Sequence, residues 1–143
     1  MSYEEVNMRV IPILAVAAAL TSCTMSAAPP NGQLASQREF QQLVNGKVPQ
    51  RPISCLPHYL SNDMHVIDDN TIVFRSGSNR VFVTHMVGGC NGLATGHNAL
   101  VTHQFGNAEL CRGDIARVVD TLNGFTVGSC SFGDFTPFVR PGT

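Results

Sequence analysis

Three hydrophobicity regimes follow one another along the chain. From Val10 to Leu20 the sequence is apolar without interruption, directly after Arg9. Eleven residues at about 1.5 Å of rise each fall well short of a hydrocarbon core about 30 Å thick, so the run reads as the apolar stretch of a signal peptide, not a membrane-spanning helix. Glu4 and Glu5 make a poor leader start and Met8-Arg9 a good one, which places the expected start of translation at Met8. Residues 24–35 show no periodicity and carry Pro29, Pro30 and Gly32, the composition of a flexible tether.

Helical spacing follows. In LASQREFQQLVNGK, Phe40, Leu43 and Val44 share one face. Ser36 is placed as an N-cap with Glu39 at the capping-box position, and Asn45-Gly46 is a stop signal. A short amphipathic helix over about Gln37 to Val44 is expected, its apolar stripe laid on a sheet. Val48 to Pro57, with three prolines, reads as loop.

From there the pattern shortens to strand length. Met64 to Ile67, Thr71 to Ser76, Arg80 to Val87, Ala99 to Phe105, Ile115 to Asp120 and Phe125 to Cys130 are β-branched or aromatic runs separated by turn residues. No long helical pattern lies between them, so parallel crossover units lack material. The expected fold is mainly β: a small antiparallel sheet of about six strands, strongly curved or closed into a barrel, with one short N-terminal helix and disulfide staples. The domain occupies residues 36–143. One connection stands out: Gly88 to Asn98 is eleven residues with four glycines, long enough to cross an end of the sheet instead of making a hairpin.

The cysteines refine this picture. Leu20-Thr21-Ser22-Cys23 resembles a bacterial lipobox, placed directly after the apolar run, so residues 1–23 end at a cysteine expected to carry a lipid anchor. An ordinary cleavage after Ala28 would put Pro29 next to the cut and is the poorer reading. Thr24, where the lipobox resemblance would place Asp for inner-membrane retention, points to the outer membrane. Removing Cys23 leaves Cys55, Cys90, Cys111 and Cys130, an even set without a C-x-x-C pair, which favours two structural disulfides over redox or zinc chemistry. Cys55 with Cys130 and Cys90 with Cys111 is the expected pairing, because the first would close the two ends of the domain. All three connectivities stay open at this point.

From Thr24 onward eight basic and eight acidic residues balance, with no basic run, which argues against a nucleic-acid partner. SCLP, VIDDNTIVF, GGCNGL, LCRGD and SCSFGDFTP together resemble a family of small proteobacterial secreted proteins and lipoproteins known only as a domain of unknown function. The resemblance covers Phe40 to Pro141 and implies an exported domain without an assigned activity or cofactor.

Candidate chemistry is sparse. His58, His65, His85, His97 and His103 are the obvious metal donors; His85 and His103 fall on strands expected to be neighbours, yet no acidic residue shares those strands to complete a site. No serine stands in a nucleophile elbow. Asp68 and Asp69 are adjacent before Asn70, which fits turn formation better than an acid–base dyad. Arg112-Gly113-Asp114 matches an integrin-read tripeptide, but Gly113 fits a tight lead into the next strand, with Asp114 bonding local backbone. Phe132, Phe135 and Phe138 recur every third residue, either as a clasp closing the core, the favoured reading, or as an exposed partner patch.

No motif specifies a reaction. The function expected is a noncatalytic envelope lipoprotein on the periplasmic side of a bacterial membrane, held by its lipid anchor, with a binding or scaffolding role toward an envelope protein and no cofactor. The alternative is a small periplasmic hydrolase or metal-dependent enzyme built from the histidines and Asp114. A concave pocket holding two histidines and a carboxylate would favour that alternative.

Overall fold

The computed structural model describes residues 31–57, 60, 63–103 and 109–142. The expected signal peptide, Cys23, the tether as far as residue 30, and His58 lie outside them. Helix α1 spans Asn31–Val44. It begins well before Gln37, so Ser36 lies inside the helix instead of capping it, and the last residues assigned to the tether are helical. Its other end follows the stop signal: Gly46 takes a positive φ of 69°, and the Lys47 backbone N–H and Nζ return to the carbonyls of Val44 and Leu43.

Among the described residues nine strands follow: β1 (Val48–Pro49), β2 (Cys55–Pro57), β3 (Met64–Val66), β4 (Thr71–Ser76), β5 (Arg80–Val87), β6 (Asn98–Thr102), β7 (Glu109–Cys111), β8 (Ile115–Asp120) and β9 (Thr126–Val139). The segment read as loop from its prolines therefore holds β1 and β2. The main sheet is antiparallel and curled into a half-barrel in the order β3-β4-β5-β9-β8-β6, with β1 on the far part of β9 and β2-β7 as a separate ribbon. The connection from β5 to β6 does cross the sheet end, passing β9 and β8. Its Asn91 carbonyl sits where a Cβ at Gly128 would come within 3.0 Å.

Both faces of the sheet are used. On the concave side Ile72, Phe74, Phe82, Met86, Ala116, Val118, Phe132 and Phe135 form the main core, closed over by Leu56 and Leu110 of the ribbon and Leu93 of the crossing link. On the convex side Val73, Val81 and Val83 lie beneath Phe40, Leu43 and Val44 of α1. The helical stripe thus covers a sheet face, as its spacing predicts.

The cysteines form the two disulfides Cys55–Cys111 and Cys90–Cys130, which corrects the expected pairing. Cys55 and Cys111 stand directly opposite each other in the β2-β7 register, a ribbon too short to show in the sequence pattern. Cys90 lies just past Val87, which pairs with Ser131, so the crossing link brings it onto the neighbouring Cys130.

Strand β9 carries the phenylalanines through a bulge. Thr84 pairs with Phe135 and Met86 with Phe132, so two steps on β5 match three on β9. The extra residue resets the alternation of faces. Phe132 and Phe135 therefore both enter the concave core, where each has its ring centroid about 6 Å from Phe74, while Phe138 turns to the α1 side. Phe132 and Phe135 are thus buried in the core as the clasp reading expects, while Phe138 is partly buried against the α1 side. The bulge also demands glycine, since a Cβ at Gly133 would overlap the His85 carbonyl oxygen. Gly133→Ala is expected to destabilise the domain by about 1–3 kcal/mol, read as a lowered urea midpoint; an unchanged midpoint would show that the bulge opens freely.

Candidate interaction surface

Alternation along the central strands decides what faces out. On β8, Ala116 and Val118 point inward and Ile115, Arg117 and Val119 outward. Pairing sets Ile115 opposite Ser131, and Ser131 opposite Val87, so these three form one outward row across β8, β9 and β5. The adjacent row is Val101, Arg117 and Ser129. Helix α1 covers only the β4-β5 half of this convex face. The other half is open, with Val87 and Ile115 each 61% and Val101 40% exposed. Three exposed aliphatic side chains in adjacent rows, with Ser131 between Val87 and Ile115 and Arg117 next to Val101, make an apolar patch interspersed with polar positions. The signal was present in the sequence: IARVV is apolar at both parities, the pattern of a strand with an apolar group on each face.

The turn between β8 and β9 adds a second exposed feature. Leu122 and Phe125 are 81% and 72% exposed. The loop that presents them is held from below by Asp120, whose carboxylate accepts the Leu122 N–H at 2.7 Å and both the side-chain and backbone N–H groups of Asn123. The Leu122 hydrogen bond first, then those of Asn123, keep the Asp120 carboxyl below its usual titration range. Thr121 ties the same turn to the crossing link by donating from N and Oγ1 to the His97 carbonyl.

The described histidines are dispersed. His85 on β5 and His103 after β6 are separated by β9 and β8, which corrects the expectation that their strands are neighbours; β6 sits at the far edge because the link from β5 crosses the sheet. His85 lies near Thr71 and below α1. His65 sits between two carboxylates, Nδ1 at 3.1 Å from Glu39 of α1 and Nε2 at 3.2 Å from Asp63, while Asp63 also receives the Arg75 guanidinium at 2.9 Å. This cluster pins the helix to β3 and β4, and sequence spacing gave no sign of it.

Arg75, through its hydrogen bond first and its charge second, with His65 contributing less, holds the Asp63 carboxyl below its ordinary value. That ordinary value is about 3.9. Stability from Asp63 is therefore present above it and is lost as pH falls through the lowered native value. Arg75→Ala is expected to move the Asp63 titration midpoint upward, followed by carbonyl-carbon NMR; a midpoint that stays in place would assign the lowering elsewhere.

His103 shares a cavity with a carboxylate. With Gly113, Asp114, Ile115 and Arg117 it lines an open cavity of about 620 Å³. Among the described residues only one histidine reaches this cavity. Asp114 is also engaged, accepting the Cys111 N–H at 2.7 Å, while its own N–H returns to the Cys111 carbonyl and Gly113, with φ of 89°, donates to Phe132. The Arg112-Gly113-Asp114 tripeptide is thus the turn leading from β7 into β8. Asp68 likewise closes its turn onto the Asn70 N–H, and Asp69 accepts from Gly92 and Ala94, fastening the crossing link. Among the described residues the one cluster of three metal-type donors is Cys55, Glu109 and Cys111. Its sulfurs are spent in a disulfide, so it offers no thiolate.

No helix among the described residues is long and apolar enough to cross a membrane. Two disulfides fit an oxidising, exported location. No protein-family model, curated protein or solved structure matches the chain.

Proposed function

We propose that this chain is a noncatalytic envelope lipoprotein of the secreted family it resembles: an acyl anchor at Cys23 holds a disulfide-stapled β domain that binds an envelope protein partner. The observation that carries the binding role is the open half of the convex sheet face, where Val87, Ile115 and Val101 stand exposed beside Arg117. Apolar patches with polar neighbours are the usual form of protein contact sites. The anchoring role is supported by the lipobox at Leu20 to Cys23 and by four cysteines that pair only with one another.

The test is made on protein extracted from membranes of a Gram-negative host. The expected intact mass begins at Cys23, carries added acyl chains, and shows four cysteines that alkylate only after reduction. A photo-crosslinking residue at Ile115 is expected to capture a defined protein, and one at Val48, at the other end of β9, is not. An unacylated chain with free thiols would defeat the anchored reading, and equal capture from both positions would defeat the binding face.

A further inference from the structure

We infer that the β8-β9 turn is a membrane contact: Leu122 and Phe125 insert at the surface of the bilayer to which Cys23 is tethered. The inference rests on the anchored reading and adds an orientation and a lipid partner to it. Three observations converge. First, among the described residues Leu122 and Phe125 are the two most exposed of the large apolar side chains, and they sit together on one turn. Residues 121–129 (TLNGFTVGS) contain no charged side chain, and the one charge at the base, Asp120, is turned onto the loop's own N–H groups. An aliphatic and an aromatic side chain on an uncharged, hydrogen-bonded tip suit the headgroup boundary. A protein partner would more usually be met by apolar side chains with charged or polar neighbours, as on the convex face.

Second, the crossing link joins the start of α1 to this turn. Gly32, in the first turn of α1, lines one cavity with Asn70 and Ala94. Three residues further along the link, His97 receives the hydrogen bonds from Thr121; three residues span at most roughly 10 Å. Third, Asn31 is only eight chain steps from Cys23, a reach of at most about 29 Å. A short leash leaving from the same end as the apolar tip turns that end to the bilayer. It leaves the β4-β5 hairpin, beside Val139, at the far end of β9 from the bilayer.

The chain contains no tryptophan, so Phe125→Trp places a unique fluorophore at the tip, and Val48→Trp places one at the opposite end of β9. Both full chains are isolated from host membranes, checked by intact mass, and reconstituted into phosphatidylethanolamine/phosphatidylglycerol vesicles with and without brominated acyl chains. The expected result is blue-shifted emission, largely lost to bromine, for Phe125→Trp and unquenched emission for Val48→Trp. If Phe125→Trp does not fold, Leu122→Trp replaces it. Acylated protein with an unquenched tip overturns the inference while leaving the anchor intact. An unacylated chain defeats the anchor alone, and the tip is then judged by the same quenching after vesicles are added. Concentration-dependent self-association abolished by Leu122→Ser, without quenching, would assign the tip to a second copy of the chain and overturn the lipid contact.

Discussion

Phe135→Ala is expected to lower the free energy of unfolding by about 3–5 kcal/mol, the largest effect of any single substitution considered. The side chain has no exposed surface. Its ring centroid lies 6.0 Å from both Phe74 and Phe132, so truncation removes one corner of a three-ring cluster and two of its three ring contacts. The neighbours cannot collapse into the space, because Phe135 is also the backbone bridge to Ile53, donating to and accepting from it. Phe135→Leu keeps most of the volume and should cost under about 1.5 kcal/mol. Urea unfolding of the two variants separates the possibilities: equal, small losses would mean that the core is loosely filled and that the aromatic cluster is not its centre.

Removing the Cys90–Cys130 disulfide, as Cys90→Ala with Cys130→Ala, is expected to destabilise by about 4 kcal/mol from loop entropy alone. The bond closes a sequence separation of 40 residues. Domains of this size commonly have about 5–15 kcal/mol in all, so the variant should sit near the edge of folding. The disulfide also clamps the crossing link onto β9, where otherwise the Asp69 carboxylate and the Cys90 N–H to the Asp69 carbonyl hold it. Hydrogen exchange at Gly92 and Ala94 should therefore rise in the double variant by more than global unfolding explains. A variant with native-like exchange at those amides and an unchanged midpoint would show that Asp69 alone suffices.

Local pattern carried the fold well wherever a strand was regular. Thr71 to Ser76, Arg80 to Val87 and Ile115 to Asp120 have the same bounds in sequence and structure, because each alternates or runs apolar between clear turn residues. The last strand was legible only to Cys130. Gly133 and Pro137 resemble breakers, yet one sits at a bulge and the other tolerates the loss of its N–H. Phe135 N and the Pro137 carbonyl both face Ile53 and Gln50, so the Pro137 nitrogen points to the sparse β1 side and leaves the ladder to β5 whole.

The disulfide pairing was misread for a related reason. It depends on a three-residue ribbon and on how far a glycine-rich link curls, neither of which leaves a periodic trace. The exposed tip was half legible, since Leu122 falls in the expected turn while Phe125 looks in sequence like the start of a buried strand. The Glu39, His65, Asp63 and Arg75 cluster joins a helix to two strands through tertiary contact, which spacing along a chain does not encode.

Strand β9 also governs when the molecule can form at all. It pairs with β5, β8 and β1 and bridges to Ile53, and Val48 finds its partner only at Val139. During vectorial synthesis β3-β4-β5 can pair locally, but it cannot join β8 and β6 until the fourteen residues of β9 have left the ribosome, because β9 lies between the two halves of the sheet. The Cys90–Cys130 disulfide can therefore lock only a chain that already includes β9, because Cys130 lies on that strand.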